Sequence, residues 1–185
     1  GAMAELVDEA ARLLKDHNSK VCHMTLTAVR TAILRSPRAF APVAPLMLPV
    51  LLEKLGDTKQ TVREAAREGL LAAMEGQDAP MGTLERLGAG WGHKSWRVRE
   101  EMLHLARVAV GRFGIQAMVQ PLRSDKLLQK VVQALEDSMS PVREAAMLCL
   151  EGLYAQMGDD LRSMLPESIR GAQMREIHNR FDRIG

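Results

Sequence analysis

Four times along the chain an Asp or His is followed five residues later by a Val that opens an apolar helical pattern. Asp57-Thr-Lys-Gln-Thr-Val62-Arg63-Glu64-Ala65-Ala66 is the clearest copy, and Asp137-Ser-Met-Ser-Pro-Val142-Arg143-Glu144-Ala145-Ala146 nearly repeats it. His93-Lys-Ser-Trp-Arg-Val98-Arg99-Glu100-Glu101-Met102 is a third, and Asp16-His-Asn-Ser-Lys-Val21-Cys22 a weaker one. The openers stand at 16, 57, 93 and 137, at intervals of 41, 36 and 44 residues. A unit of that length cannot bury an apolar helix face alone, so the copies must stack on one another. That constraint selects an all-α solenoid.

The helices that follow the turns share one apolar template. With the Val as zero, offsets 0, 3, 4, 7, 8 and 11 hold Val62, Ala65, Ala66, Gly69, Leu70 and Ala73 after the second opener. After the fourth they hold Val142, Ala145, Ala146, Cys149, Leu150 and Leu153. The third copy has Val98, Glu101, Met102, Leu105, Ala106 and Ala109, with Glu101 the polar exception, and the first has Val21, Met24, Thr25, Ala28, Val29 and Ala32. These offsets fall on one stripe of an α-helix, and small residues within it allow close helix approach. Val62, Leu70, Leu105, Cys149 and Leu150 are therefore expected in the core. A helical period near 40 residues reads as about five hairpins of the HEAT type.

The stretches between complete the hairpins. Helices are expected over 4–15, from the first turn to Arg35, where Ser36-Pro37 ends it, and over 41–55. Pro49 should kink the last of these, and Gly56 closes it as a C-terminal glycine. The next helix reaches Met74; 75–80 reads as a loop, 81–88 as a short helix broken by glycine, and 95–113 as a long helix. Residues 116–137 supply a first helix interrupted near Pro121, and 141–157 its partner. A last pair, 159–165 and 169–184, departs from the template and reads as a cap. Gly1-Ala2-Met3 looks like a protease-cleavage scar, which leaves 4–185 as one domain.

Only 3% of the residues are aromatic, so the core must come from Leu, Ala, Val and Met, which suits helices better than a sandwich or barrel. Lys and Arg (25) nearly cancel Asp and Glu (23), a balance that argues against nucleic-acid binding. No apolar run approaches the roughly 18 residues of a membrane span, and no signal peptide opens the chain. Cys22 and Cys149 lie in expected helices without CxxC spacing, which points to a reducing compartment and to no metal site. His17, His23, His93, His104 and His178 are scattered, and no Gly-rich phosphate loop follows a strand. A DNA-glycosylase groove would need more than the six aromatics present. The chain thus reads as a binding module, not an enzyme, with no cofactor.

In a solenoid, the turns within hairpins line up along one edge. Between opener and Val they hold His17, Asn18, Ser19 and Lys20; Thr58, Lys59, Gln60 and Thr61; Lys94, Ser95, Trp96 and Arg97; Ser138, Met139, Ser140 and Pro141. Four of these are bases and none is an acid, whereas the opposite edge mixes Glu75, Asp78, Asp159 and Asp160 with Arg38. A basic ridge centred on Trp96 fits an acidic protein partner; Trp96 could equally be a helix-start residue packed on the preceding turn. Arg63, Arg99 and Arg143 follow the Val, and with Asp57 and Asp137 they resemble the ladder of HEAT proteins, where an Arg of one repeat meets the Asp of its neighbour. We read them first as half-buried forks for carboxylates and loop carbonyls. The ladder has gaps: Cys22 replaces an Arg, and His93 an Asp.

Leu55-Gly-Asp-Thr-Lys-Gln-Thr-Val-Arg63, His93-Lys-Ser-Trp-Arg-Val-Arg-Glu100 and Ser140-Pro-Val-Arg-Glu-Ala-Ala146 resemble the intra-repeat turns of TOG domains, above all the N-terminal one of the CLASP family of microtubule-associated proteins. The segment from Leu165 to Ile184 resembles that family's closing segment. The resemblance implies a paddle of HEAT repeats, in the cytoplasm on microtubules, whose turn edge binds αβ-tubulin or the microtubule lattice and regulates microtubule dynamics. By position it carries binding onto Lys20, Val21, Thr58, Lys59, Gln60, Lys94, Trp96, Arg97, Ser138, Met139 and Ser140. It implies neither a nucleic-acid nor a membrane partner. TOG domains usually have six repeats, and this chain aligns from the second, without the first turn that ordinarily gives β-tubulin an aromatic contact. An otherwise monomeric chain would then have an exposed first hairpin at which it could self-associate. The rival reading is a HEAT scaffold that binds a peptide or partner helix on its concave helical face.

Overall fold

Apolar stripes at helical spacing need helical neighbours, and the chain supplies them throughout. A computed structural model describes residues 1–76, 79–118 and 126–185, the side chains of 79 and 81 excepted. Among them every regular element is helical. In order these are α1 (Ala2–Leu13), α2 (Ser19–Arg35), α3 (Pro37–Phe40), a 3-10 turn (Ala41–Val43), α4 (Ala44–Lys54), α5 (Gln60–Glu75) and α6 (Ala79–Arg86). A second 3-10 turn (Gly88–Gly90), α7 (Trp96–Phe113), α8 (Leu127–Ala134), α9 (Ser140–Met157), α10 (Asp159–Met164) and α11 (Gly171–Ile184) follow; 115–118 are also helical. The fold is all-α, built from HEAT-type hairpins, and divides into two compact units, 1–101 and 102–185.

In the first unit α1 packs on α2 and α4 on α5, while α2 against α5 and α1 against α4 join the two hairpins. Of the six template positions of α5, Val62, Ala66, Gly69, Leu70 and Ala73 are buried and Ala65 is half-buried. Helix α2 departs from it. Met24 is 71% exposed and Ala28 faces solvent, whereas Cys22, Thr25, Leu26, Val29 and Ile33 are buried. The stripe has turned by one residue, about 100°, because a small thiol at position 22 can go inward where the other copies carry an Arg that cannot.

Prolines divide what the sequence reads as one helix over 41–55. Pro37, Pro42 and Pro45 each sit in the first turn of the element they open, where a missing N–H costs nothing. Helix α4 runs on through Pro49. The expected loop over 75–80 is shorter than the sequence suggests, since α6 begins at Ala79; Asp78 and Pro121 lie outside the described residues.

Gly56 also differs from expectation. The described glycines with positive φ are Gly114 and Gly158, so Gly56 is not a left-handed helix stop. A Cβ there would instead stand 2.9 Å from Val98 Cγ2 and 3.2 Å from Ser95 Oγ. Glycine is required for the end of α4 to lie against the start of α7.

In the second unit α8 packs on α9, and α9 on α10 and α11. All six template positions of α9 are buried, and so is Leu105 of α7. Burial pushes the Cys149 thiol up to about 12, which makes it an inert apolar filler. The cap is fastened by polar nodes that no template foretells. Tyr154 and Phe181 stack with centroids 4.3 Å apart, and Arg162 lies over both rings while donating to Asp159, His178 Nδ1 and Asp182. Arg180 donates to Glu144, Glu151 and Glu176; the Glu144 bond above all keeps its guanidinium more firmly protonated than usual.

Gly56→Ala should lower stability by about 1–3 kcal/mol, the usual cost of overpacking. In a double-mutant cycle read by chemical denaturation, Val98→Ala should relieve part of that loss. Additive effects would show that the close approach is not what requires glycine.

Candidate binding edge

Two hydrogen bonds build every turn. The opener's side chain accepts the N–H two residues on: Asp16 Oδ1 from Asn18 (2.8 Å), Asp57 Oδ1 from Lys59 (2.8 Å), His93 Nδ1 from Ser95 (3.0 Å) and Asp137 Oδ1 from Met139 (2.9 Å). This is the Asx-turn arrangement, and it explains how His93 stands in for Asp, since only an acceptor is needed. The opener's carbonyl accepts from the residue six positions on: Cys22 Sγ at 3.2 Å, Arg63 Nη1 at 2.8 Å, Arg99 Nη1 at 2.7 Å and Arg143 Nη1 at 2.8 Å. Arg63 also donates to the Thr58 carbonyl (3.0 Å).

With loop carbonyls and N–H groups so occupied, the side chains between opener and Val are held at the surface. Lys20, Thr58, Lys59, Gln60, Lys94, Ser138 and Ser140 are exposed, and Val21, Trp96, Arg97 and Met139 are half-buried. Trp96 is the first residue of α7, and the Arg97 guanidinium lies 4.6 Å from its ring centroid. That cation–π stack holds both side chains in one orientation.

Three of the turns belong to the first unit and are tied side by side. Lys54 Nζ lies 3.7 Å from Cys22 Sγ, which links the base of the second turn to the first. Glu53 Oε1 meets His93 Nε2 at 2.8 Å, and Gly56 rests against Ser95 and Val98, which links it to the third. The fourth turn lies in the second unit, where Ser140 and Pro141 rim a groove of about 440 Å³ with Arg143, Gln173 and Arg180.

Glu101, the polar exception in the template, is 7% exposed. Its carboxylate accepts from Arg67 Nη1 at 3.0 Å and lies 3.8 Å from Arg63 Nε. The opener after Arg63 is His93, which has no carboxylate, and Glu101 supplies one from the same hairpin. Reasoning from sequence marks Glu101 only as a polar break in the stripe and names neither Arg67 nor Glu53. The available signals were an acid alone in an apolar stripe and a histidine at an aspartate position. Among the described residues no group of His, Cys, Asp and Glu is placed to hold a metal, and no helix is long and apolar enough to cross a membrane.

Hairpins whose turns are braced internally and decorated externally define a helical-repeat module. The chain belongs to the XMAP215/Dis1/CLASP TOG domain family, whose model matches residues 2–181. It is similar to the CLIP-associated protein of Arabidopsis thaliana, 36% identical over 184 residues, 98% of this chain and 12% of that protein. It is also similar to CLIP-associating protein 1 of Xenopus tropicalis, 27% identical over 176 residues, 95% of this chain and again 12% of that protein. The chain therefore spans about an eighth of the length of these relatives. Among solved structures it is similar to the MAST/Orbit N-terminal domain, with a TM-score of 0.86 and 28% identity over 98% of this chain and 80% of that one.

Arg143→Ala leaves the half-buried Asp137 carbonyl without its donor and should cost about 1–3 kcal/mol. Thermal melting checks this; an unchanged midpoint would make Arg143 a surface contact.

Proposed function

We propose that the chain is a tubulin-binding module of a microtubule-associated regulator of microtubule dynamics, working on microtubules in the cytoplasm and engaging αβ-tubulin or the microtubule lattice through its turn edge. The observation that carries this reading is the edge of the first unit. Three adjacent turns display Lys20, Lys59, Lys94 and the Trp96–Arg97 stack, with no acid between any opener and its Val. Membership of the TOG family supports it.

The residues divide by the work they can do. Trp96 and Arg97 are half-buried and preorganised, so a partner that desolvates them gains affinity without ordering them first. Such Trp and Arg anchors are typically worth about 2 kcal/mol or more on truncation. Lys20, Lys59 and Lys94 are solvated, and act on association rate and salt dependence. Val21, Thr58, Gln60, Ser138, Met139 and Ser140 supply uncharged contacts.

Trp96→Ala combined with Arg97→Ala should abolish cosedimentation with microtubules while the circular dichroism spectrum stays helical. Lys59→Ala should weaken binding most at low salt. Lattice and free αβ-tubulin are assayed separately, by cosedimentation and gel filtration. Retention of full binding by the folded double variant would move the site off the turn edge.

A further inference from the structure

The third turn differs from the others in its opener and in what it carries. His93 stands where the other turns have Asp, just ahead of Lys94, Trp96 and Arg97. Its ring is held on both sides. Nδ1 accepts the Ser95 N–H at 3.0 Å, so that nitrogen bears no proton and Nε2 does. Nε2–H then donates to Glu53 Oε1 at 2.8 Å. An Asp opener could cap Ser95 but has no donor with which to reach the preceding hairpin. The His93 side chain is 12% exposed and that of Glu53 64%, so the ring is enclosed while its partner sits at the surface.

We propose that Glu53 is a positioning residue for the binding edge, acting through His93 to set the third turn against the second. The proposal rests on reading that edge as the tubulin site. Two contacts brace the third turn from the end of α4: Gly56 against Ser95 and Val98, and Glu53 on the His93 ring. Together they prevent the turn from pivoting, which fixes the spacing between Lys59 and the Trp96–Arg97 stack. A partner that engages two turns at once loses affinity when their spacing fluctuates, because ordering them is then charged to binding.

The test follows Ser95 amide hydrogen exchange in the free chain and cosedimentation with stabilised microtubules, both at one fixed pH. His93→Asn can cap Ser95 through its Oδ1 but lacks the ring Nε2–H that reaches Glu53. Glu53→Ala should speed Ser95 exchange and lower affinity about two- to tenfold, the worth of one hydrogen bond, without moving the melting midpoint. Glu53→Gln, which keeps an acceptor, should restore both, and Glu53→Ala in the His93→Asn background should add nothing. Unchanged Ser95 exchange in Glu53→Ala, or a further loss when Glu53→Ala is added to His93→Asn, overturns the proposal. If Ser95 responds as expected while Trp96→Ala leaves cosedimentation intact, the edge is not the tubulin site and the role of Glu53 in binding falls with it.

Discussion

Everything displayed on the turn edge depends on satisfying one backbone carbonyl. The opener of each turn ends a reversal in which main-chain groups leave one helix before entering the next, and an unpaired half-buried carbonyl there would cost about 1–3 kcal/mol. An Arg six residues on closes that deficit in three turns and Cys22 in the fourth. The guanidinium suits the task because its fork can reach two loop carbonyls at once, as Arg63 does. With polar groups of the loop turned inward, the side chains at its tip are left at the surface.

That division between inward and outward groups makes the turns rigid without making them inert. Residues that brace the loop (Asp57, Arg63, His93, Arg99, Asp137 and Arg143) alternate along the chain with residues that face solvent. Each turn can therefore change its displayed side chains without changing its frame. The third turn displays the Trp96–Arg97 stack, and the fourth Ser138, Met139 and Ser140, on the same pair of hydrogen bonds.

Where the repeat is broken, the structure compensates locally. Cys22 cannot fork, and α2 turns its buried face toward that position. His93 offers no carboxylate, and Glu101 receives Arg67 and Arg63 in its place. Glu53 occupies the second nitrogen of the His93 ring. Each substitution leaves a polar group or a space that its surroundings fill, and two of the fillings, Glu53 on His93 and Arg67 on Glu101, tie one hairpin to the next.

By itself the sequence determined the class of fold, the positions of the turns and most of the core, because those follow from local periodicity. Offsets of 3, 4, 7, 8 and 11 from Val62 and Val142 must share a helix face whatever lies beside them. The turn residues were equally legible, since an Asp five residues before a helix core has few ways to end a reversal. What the tertiary structure alone decided were the contacts between segments distant in the chain: Glu53 with His93, Glu101 with Arg67, Gly56 against Val98, and the inward rotation of Cys22. In the sequence Gly56 looks like a helix stop and Glu101 like an error in a stripe. Their reasons lie some forty residues away in the case of Gly56 and in the preceding hairpin in the case of Glu101, in side chains that only stacking brings within reach.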